Sequence, residues 1–238
     1  MTPDSEHRAL GHGALIRLLH LASTMLPVGA FSYSQGLEWA VESGTIRDRA
    51  EAEHWIFDVM CWSVGRFEAP LLVAAHRAWS DGGDAEAIEL DALMAATRES
   101  RELLAETVQL GYSLRRWCRD AGAVDSGWLA RIECIENPTW PVMFAAVAAA
   151  WKMEVRAMLA TYLWTWLENQ VSAAIKAIPL GQTDGQKILL AAAPVLEQVG
   201  NDVMALSVQP RENWSTQCPG LAIASSCHET QYSRLFRS

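Results

Sequence analysis

Apolar residues recur at helical spacing along almost the whole chain of 238 residues. A first apolar stripe ends at the break formed by residues 26–29 and consists of Leu15, Leu18, Leu19 and Ala22. Asp48 and Glu51 have the spacing of a capping box, and a long apolar stripe follows them. Because no segment alternates apolar and polar residues as a strand does, the pattern predicts an all-α protein.

The second half of the chain carries the most apolar predicted helices. Two amphipathic helices are expected between Ala85 and about Asp120, and two largely buried helices between Trp140 and Ile178. Thr183 and Gln186 offer a capping box for a last helix that reaches about Leu206.

The predicted helices are separated by short boundaries, which indicates a single domain. We expect residues 1–206 to form one compact multi-helix bundle of about ten helices. Beyond Ser207 the periodicity is lost, and Pro210 and Pro219 interrupt the pattern. Residues 207–238 are therefore predicted to be a non-helical tail that docks a partner, since this stretch is longer than an ordinary connection.

Composition narrows the classes of function. The net charge of −9 argues against nucleic acid as a partner, because phosphate binding needs clustered positive charge. Eleven tryptophans suit a core or a protein interface. The five scattered cysteines contain no CxxC pair, so neither a zinc ribbon nor a disulfide framework is indicated.

The expected location is the cytoplasm, without membrane contact. Residues 1–13 lack the basic-then-apolar pattern of a signal peptide. The most apolar stretch, Pro141 to Trp151, is too short to span a bilayer.

The chain contains no motif of a common catalytic site. HExxH, GxSxG and the Walker loop are absent from the sequence, and residues 181–187 lack the spacing of a phosphate-binding loop. These absences favour a protein that is not an enzyme and that holds no stable cofactor.

Two internal features have both a structural and a functional interpretation. In the turn before residue 39, Ser32 and Ser34 can cap a helix or belong to an interface, and Phe31 and Tyr33 suit either role. Lys176 interrupts an apolar helix, where it can extend to solvent at the helix end or contact a partner. Glu168 and Ser172 share its helix face.

The last residues combine aromatic and arginine side chains, which dominate the energy of protein interfaces. A tail without a binding role is more often polar, so we expect a docking segment that contains Tyr232, Arg234, Leu235, Phe236 and Arg237. Cys227 and His228 are weak candidates for a metal site, because a thiolate and an imidazole suit nickel but two adjacent ligands are incomplete.

Three separated segments of the chain resemble the family of the urease accessory protein UreF. They are Leu18 to Val41, LLHLASTMLPVGAFSYSQGLEWAV; Trp166 to Leu189, WLENQVSAAIKAIPLGQTDGQKIL; and His228 to Ser238, HETQYSRLFRS. Their order and length make the resemblance specific, and they extend over most of the chain.

The resemblance implies a compact helical homodimer that acts as a chaperone in urease maturation. Its implied partners are UreD (UreH in some lineages), the GTPase UreG and the urease apoprotein, and nickel and GTP would be handled by these partners. The five tail residues would dock on UreD. Modulation of the GTPase in trans by Lys176, Gln182 or Gln186 is motivated by this association and not by their spacing.

Two other classes of protein remain open at this stage. One is a helical enzyme or small-ligand binder with an apolar pocket lined by tryptophans. The other is an oligomeric structural protein that associates only with itself. Tight binding of a small molecule by the isolated chain would favour the first, and self-association without any partner would favour the second.

Overall fold

Helices follow one another through residues 11–238, which are the residues that the structure, a computed structural model, describes. Most of the N-terminal segment considered for a signal peptide lies outside them. The α-helices are α1 His12–Leu21, α2 Leu37–Glu42, α3 Arg49–Val59, α4 Ala69–Asp81, α5 Asp84–Ala96, α6 Arg101–Asp120, α7 Ser126–Glu133, α8 Trp140–Ala150, α9 Val155–Ala177, α10 Gln182–Ala191, α11 Ala193–Leu206 and α12 Pro219–His228. The predicted all-α fold is confirmed.

Helix α8 lies at the centre of the bundle, where it packs against α4 and α6. Every residue from Pro141 to Ala149 is buried, and most of them are small. Small side chains let neighbouring helices approach closely, and Gly111 of α6 shows how closely. A Cβ at Gly111 would overlap the backbone of Pro138, just before α8.

Buried polar contacts fix the N-terminal end of α8. Thr139, which precedes α8, donates from its backbone N and from its hydroxyl to Asp91 Oδ1, each at 2.7 Å. Trp79 of α4 donates from Nε1 to the Val142 carbonyl at 3.2 Å. These bonds set the position of α8 along its neighbours α4 and α5.

Helices α3 and α4 are joined by a π-helix, Met60–Glu68, so the backbone stays helical from residue 49 to residue 81. Pro70 lies in the first turn of α4 within this continuous run. The π-helical turn is wider than an α-turn and changes the direction of the side chains that follow it. Glu68, at the end of the π-helix, is buried in the bundle.

Helix ends confirm one predicted cap and contradict another. The Asp48 side chain accepts from the Glu51 backbone N at 3.0 Å and begins α3 as predicted. The capping box at Thr183 and Gln186 is wrong, since α10 begins at Gln182 after Gly181 and has no side-chain cap. The predicted helix to Leu206 is divided at Ala192, because Pro194 starts α11.

The predicted non-helical tail is also wrong for residues 219–228, which form α12. Pro219 lies in the first turn of α12, where its missing N–H costs nothing. Leu221, Ala224, Ser225 and His228 are buried on one face at helical spacing. Helix α12 packs against α2 and α6, so this part of the tail belongs to the bundle.

None of the helices described between residues 11 and 238 is by itself long and apolar enough to cross a membrane. The pair α10 and α11, bent by 43° at its junction, meets that test by length and composition only.

Candidate functional site

The C-terminal segment, residues 229–238, lies over three glutamates that come from separate parts of the fold. Glu38 belongs to the short helix α2, and Glu102 and Glu106 lie one turn apart on α6. We call these three residues the glutamate site. A buried carboxylate needs hydrogen-bond donors, and the C-terminal segment supplies them.

Glu38 binds the backbone of the segment. Its carboxylate accepts from the backbone N of Leu235 at 2.6 Å and of Phe236 at 3.0 Å. Its own amide donates to the Ser34 hydroxyl at 3.3 Å, which confirms that Ser34 caps this turn. Two further backbone bonds join the segment to the same turn, from Arg237 N to the Ser32 carbonyl and from Ser34 N to the Ser238 carbonyl.

His228, the last residue of α12, joins two members of the glutamate site. Its Nε2 lies 3.1 Å from Glu38 Oε2, and its Nδ1 lies 2.6 Å from Glu102 Oε2. The other oxygen of Glu102 accepts from Arg234 at 2.6 Å. Arg101 and Glu229 form a second link between α6 and the segment at 3.2 Å. The segment is therefore held by charge as well as by its backbone.

Glu106 is the deepest member of the glutamate site. Oε2 accepts from the Ser238 hydroxyl and Oε1 accepts from Gln35 Nε2, each at 2.7 Å. Burial raises the pKa of Glu106 to about 7, while the bonds from Ser238 and Gln35 act in the opposite direction. Trp166 of α9 donates to Gln35 Oε1 at 2.8 Å and fixes the orientation of that amide.

A second buried carboxylate, Glu68, lies close to Glu106. Glu68 accepts from the Tyr162 hydroxyl and forms an ion pair with Arg98. Burial raises the pKa of Tyr162 well above its ordinary value, and the negative charge of Glu68 adds to this shift. Arg98 Nε is buried and has no partner among residues 11–238. Arg98 thus pairs with Glu68, whereas Glu106 has only neutral hydrogen-bond donors within the described residues.

Three of the residues singled out from the sequence meet at one surface. Lys176 Nζ lies 5.9 Å from the centre of the Phe31 ring and 5.7 Å from the centre of the Phe236 ring. A cation near two aromatic faces is held by their quadrupoles. Leu235, which precedes Phe236 in the chain, is 73% exposed, and Phe31 is 64% exposed. We call Phe31, Lys176, Leu235 and Phe236 the aromatic surface.

Not all predicted docking residues are available to a partner. Tyr33 and Phe236 are each only 6% exposed, which corrects their prediction as open contact residues. Burial raises the pKa of Tyr33, and the nearby Arg237 guanidinium lowers it. Tyr232 and Arg237 are exposed, and Arg234 is partly covered by its bond to Glu102.

The glutamines predicted to act on a GTPase lie on another element. Gln182 and Gln186 are exposed on the first turns of α10, which packs against α9, α3 and α11. Nearer the aromatic surface, Glu168 and Ser172 line a cavity of about 80 Å³ together with Phe31. Burial raises the pKa of Glu168.

Both ring nitrogens of His228 face carboxylates, so neither is free to bind a metal ion. This arrangement does not support the predicted metal site at Cys227 and His228. Cys227 is a free thiol of intermediate exposure. No group of three or more His, Cys, Asp and Glu residues within residues 11–238 is placed to hold a metal ion.

Sequence reasoning singled out residues of the C-terminal segment as contacts for a partner but missed the glutamates of the bundle that bind this segment. A signal was present for Glu106, since it lies between Leu103 and Leu110 on the apolar stripe of α6, with spacings of three and four residues. A glutamate at a core position needs an internal partner. Glu38 offered no comparable signal, because α2 has only six residues.

The UreF family profile matches residues 46–193 of this chain. A urease accessory protein UreF from Azoarcus sp. (strain BH72) is 55% identical over 229 residues, which cover 94% of this chain and 95% of the relative. One from Methylobacillus flagellatus is 48% identical, with 94% and 98% covered. A bifunctional urease accessory protein UreEF from Bordetella bronchiseptica is 41% identical over the whole chain, which spans 54% of that relative.

These matches place the all-α bundle in the class of urease accessory proteins. The chain belongs to the UreF family of urease accessory proteins.

Proposed function

We propose that this protein is a non-enzymatic adaptor that joins UreD (UreH) to the GTPase UreG during the GTP-dependent insertion of nickel into the urease apoprotein. Membership of the UreF family supports a role in urease maturation. The UreEF relative supports action within an assembly, because it is a bifunctional accessory protein that combines two accessory functions in one chain.

The observation that carries the proposal is the aromatic surface. Residues 31, 176 and 236 are far apart in sequence, yet their side chains meet, and two of them remain exposed. Exposed aromatic and apolar side chains around a cation are typical of an interface centre. In the proposal UreD covers the aromatic surface, which includes Leu235, and also contacts Tyr232 and Arg237.

UreG is proposed to contact a different element, helix α10. Gln182 and Gln186 are exposed there, and Lys187 is paired with Asp184 at 3.0 Å. An exposed amide from an adaptor can orient groups in a partner GTPase, as activating proteins do. Nickel and GTP are then handled by the partner complex, and the adaptor acts in the cytoplasm as a homodimer.

The test is co-purification with UreD and UreG of the wild-type chain and of the double variant Phe31→Ala/Leu235→Ala. We expect the double variant to lose UreD, with at least a tenfold weaker association, because interface aromatic and apolar anchors contribute about 1–3 kcal/mol each. The matched control is Val208→Ala, since Val208 is 71% exposed but lies outside the aromatic surface. Equal retention of UreD by both variants would contradict the proposed interface.

The contribution to the GTPase is tested separately with Gln182→Ala and Gln186→Ala. In the proposal these variants keep UreD but bind UreG more weakly or change its rate of GTP hydrolysis. Thr183→Ala is the control, because Thr183 is exposed on the same turn. If binding and turnover match the wild type, α10 does not contact the GTPase.

The competing class, a binder of small molecules in a tryptophan-lined pocket, finds little support in the most enclosed cavities. Two more open clefts of about 490 and 500 Å³ each include a single tryptophan, Trp117 or Trp164. The two cavities lined by Trp140 have volumes of about 40 and 80 Å³. Pockets for drug-sized ligands typically have about 300–1,000 Å³. The smaller cavity is also lined by Glu68, Arg98 and Glu106, which suits water more than an apolar ligand.

A further inference from the structure

A buried group that changes charge near neutral pH lies directly under the C-terminal segment. Glu106 bonds Gln35 from the N-terminal turn and Ser238 from the segment, so it joins the two parts of the chain that the glutamate site brings together. Glu106 is only 3% exposed, and Ser238 is 1% exposed. Release of the segment would therefore admit water to this carboxylate.

The charges around Glu106 do not neutralise it. Glu68 from the π-helix faces the same cavity, and Arg98, which precedes α6, is bonded to Glu68. Tyr162 from α9 donates to Glu68, while Tyr33 from the N-terminal turn lies near Arg237. Glu102, one turn earlier on α6, is occupied by His228 and Arg234. The cluster formed by Glu68, Glu106 and Arg98 carries one excess negative charge when both carboxylates are ionised.

From this arrangement we propose that protonation of Glu106 controls the docking of residues 234–238, which bind to the body at low pH and detach as pH rises. The neutral carboxyl can stay buried without a cation, and it keeps its bonds to Gln35 and Ser238. The ionised form is better accommodated by water, which reaches it only when the segment leaves.

The direction of the pH dependence follows from the linkage between proton binding at Glu106 and docking of the segment. Burial raises the pKa of docked Glu106 from 4.5 to about 7. A carboxyl whose pKa is higher in the docked state favours docking at low pH, and this contribution is lost as pH rises from 4.5 through about 7. With an ordinary pKa in the detached state, the docking equilibrium weakens about tenfold between pH 6 and pH 8.

The proposal is distinct from the proposed function, since it concerns contacts within one chain and needs no partner. Its consequence is that Phe236, which is only 6% exposed in the docked state, becomes available for other contacts on the alkaline side of neutrality. Glu38 then loses the two backbone donors that it binds in the docked state.

Hydrogen–deuterium exchange of the full chain tests the proposal. The amides of Leu235 and Phe236 report docking, because both donate to Glu38 and neither contacts Glu106. After division by the intrinsic exchange rate at each pH, wild-type protection at these amides should fall about tenfold from pH 6 to pH 8. Amides of α9 serve as an internal reference, which should not change.

Glu106→Gln keeps the shape and hydrogen bonds of the neutral carboxyl, so its protection at residues 235 and 236 should be nearly the same at both pH values. Asp120→Asn is the matched control on α6; it removes an exposed carboxylate that pairs with Arg116 and does not belong to the glutamate site, so it should keep the wild-type pH dependence. Equal pH dependence in wild type and Glu106→Gln, or none in wild type, would overturn the proposal.

A second measurement needs no variant and covers the case in which Glu106→Gln fails to fold. In wild-type protein labelled with ¹³C-glutamate, the side-chain carboxyl resonance of Glu106 should titrate with a midpoint near 7. A midpoint at the ordinary value of about 4.3 would contradict the proposal regardless of the exchange data.

Discussion

Individual buried residues show how little freedom the centre of this protein leaves. Gly111 faces the backbone of Pro138 and Thr139, where α6 and the start of α8 are in direct contact. A methyl group at this position has no space, and its backbone neighbours cannot move aside as a flexible side chain would.

We therefore expect Gly111→Ala to lower the free energy of unfolding by about 1–3 kcal/mol, despite the better helix propensity of alanine. Urea denaturation followed by circular dichroism measures the change. Gly200→Ala on α11 is the control, because a Cβ there meets nothing within 4 Å. The free energy of unfolding of Gly200→Ala should rise by about 0.5–1 kcal/mol. Equal free energies for both variants would contradict the close contact between Gly111 and Pro138.

The pair of Tyr162 and Glu68 offers a second test at this scale. Both residues are buried, and the tyrosine hydroxyl is one of the few donors that reach Glu68. Tyr162→Phe should cost about 1–3 kcal/mol, since a buried carboxylate is left with one donor fewer. Tyr112→Phe, at an exposed position on α6, should cost nothing measurable in the same denaturation experiment.

At the scale of elements, the contact between α2 and α12 depends on one glycine. Gly36 precedes α2 with φ of +79°, and a Cβ there would lie 2.8 Å from the backbone N of Ser225 in α12. Both the left-handed backbone and the close approach favour glycine.

Gly36→Ala should thus separate α12 from α2 and increase amide exchange throughout residues 219–228. Gly82→Ala separates the two causes, because Gly82 has a similar φ of +77° but no atom within 4 Å of its Cβ position. Gly82→Ala should lower the free energy of unfolding by only about 1–2 kcal/mol, from backbone strain. The amides of α12 should stay protected from exchange in this variant. Unchanged exchange in Gly36→Ala would show that α12 docks without this contact.

Elements also show what the sequence could and could not reveal. The long helices α6, α8 and α9 were predictable, because their apolar periodicity or continuous burial extends over many turns. The sequence pattern does not predict α12, because Pro210 and Pro219 interrupt the apolar periodicity. In the structure Pro219 lies in the first turn of this helix. The clustering of Lys176 with Phe31 and Phe236 arises from tertiary packing, which no local pattern records.

The whole molecule carries apolar side chains that its own bundle does not cover. On α1, Leu18 and Leu21 face the core, while Ile16 and Leu19 are 64% and 62% exposed. Uncovered apolar area promotes association between molecules.

We expect Ile16→Lys/Leu19→Lys to raise the soluble concentration of the isolated chain without a change in Tm. Light scattering over a concentration series measures the first quantity and calorimetry the second. Leu18→Ala is the contrasting control, because truncation of a buried leucine should lower stability by about 2–5 kcal/mol. A lower Tm in the double lysine variant would show that this face of α1 belongs to the core.

The bond between Ser34 and Ser238 also has a consequence for the order of events during biosynthesis. The two residues are 204 positions apart. At about 5–20 residues per second, the ribosome completes that interval roughly 10–40 s after it has added Ser34. The turn at residues 32–38 is therefore synthesised well before the C-terminal residues that bind to it. The bond between Ser238 and Glu106 can therefore form only after residue 238 has been added.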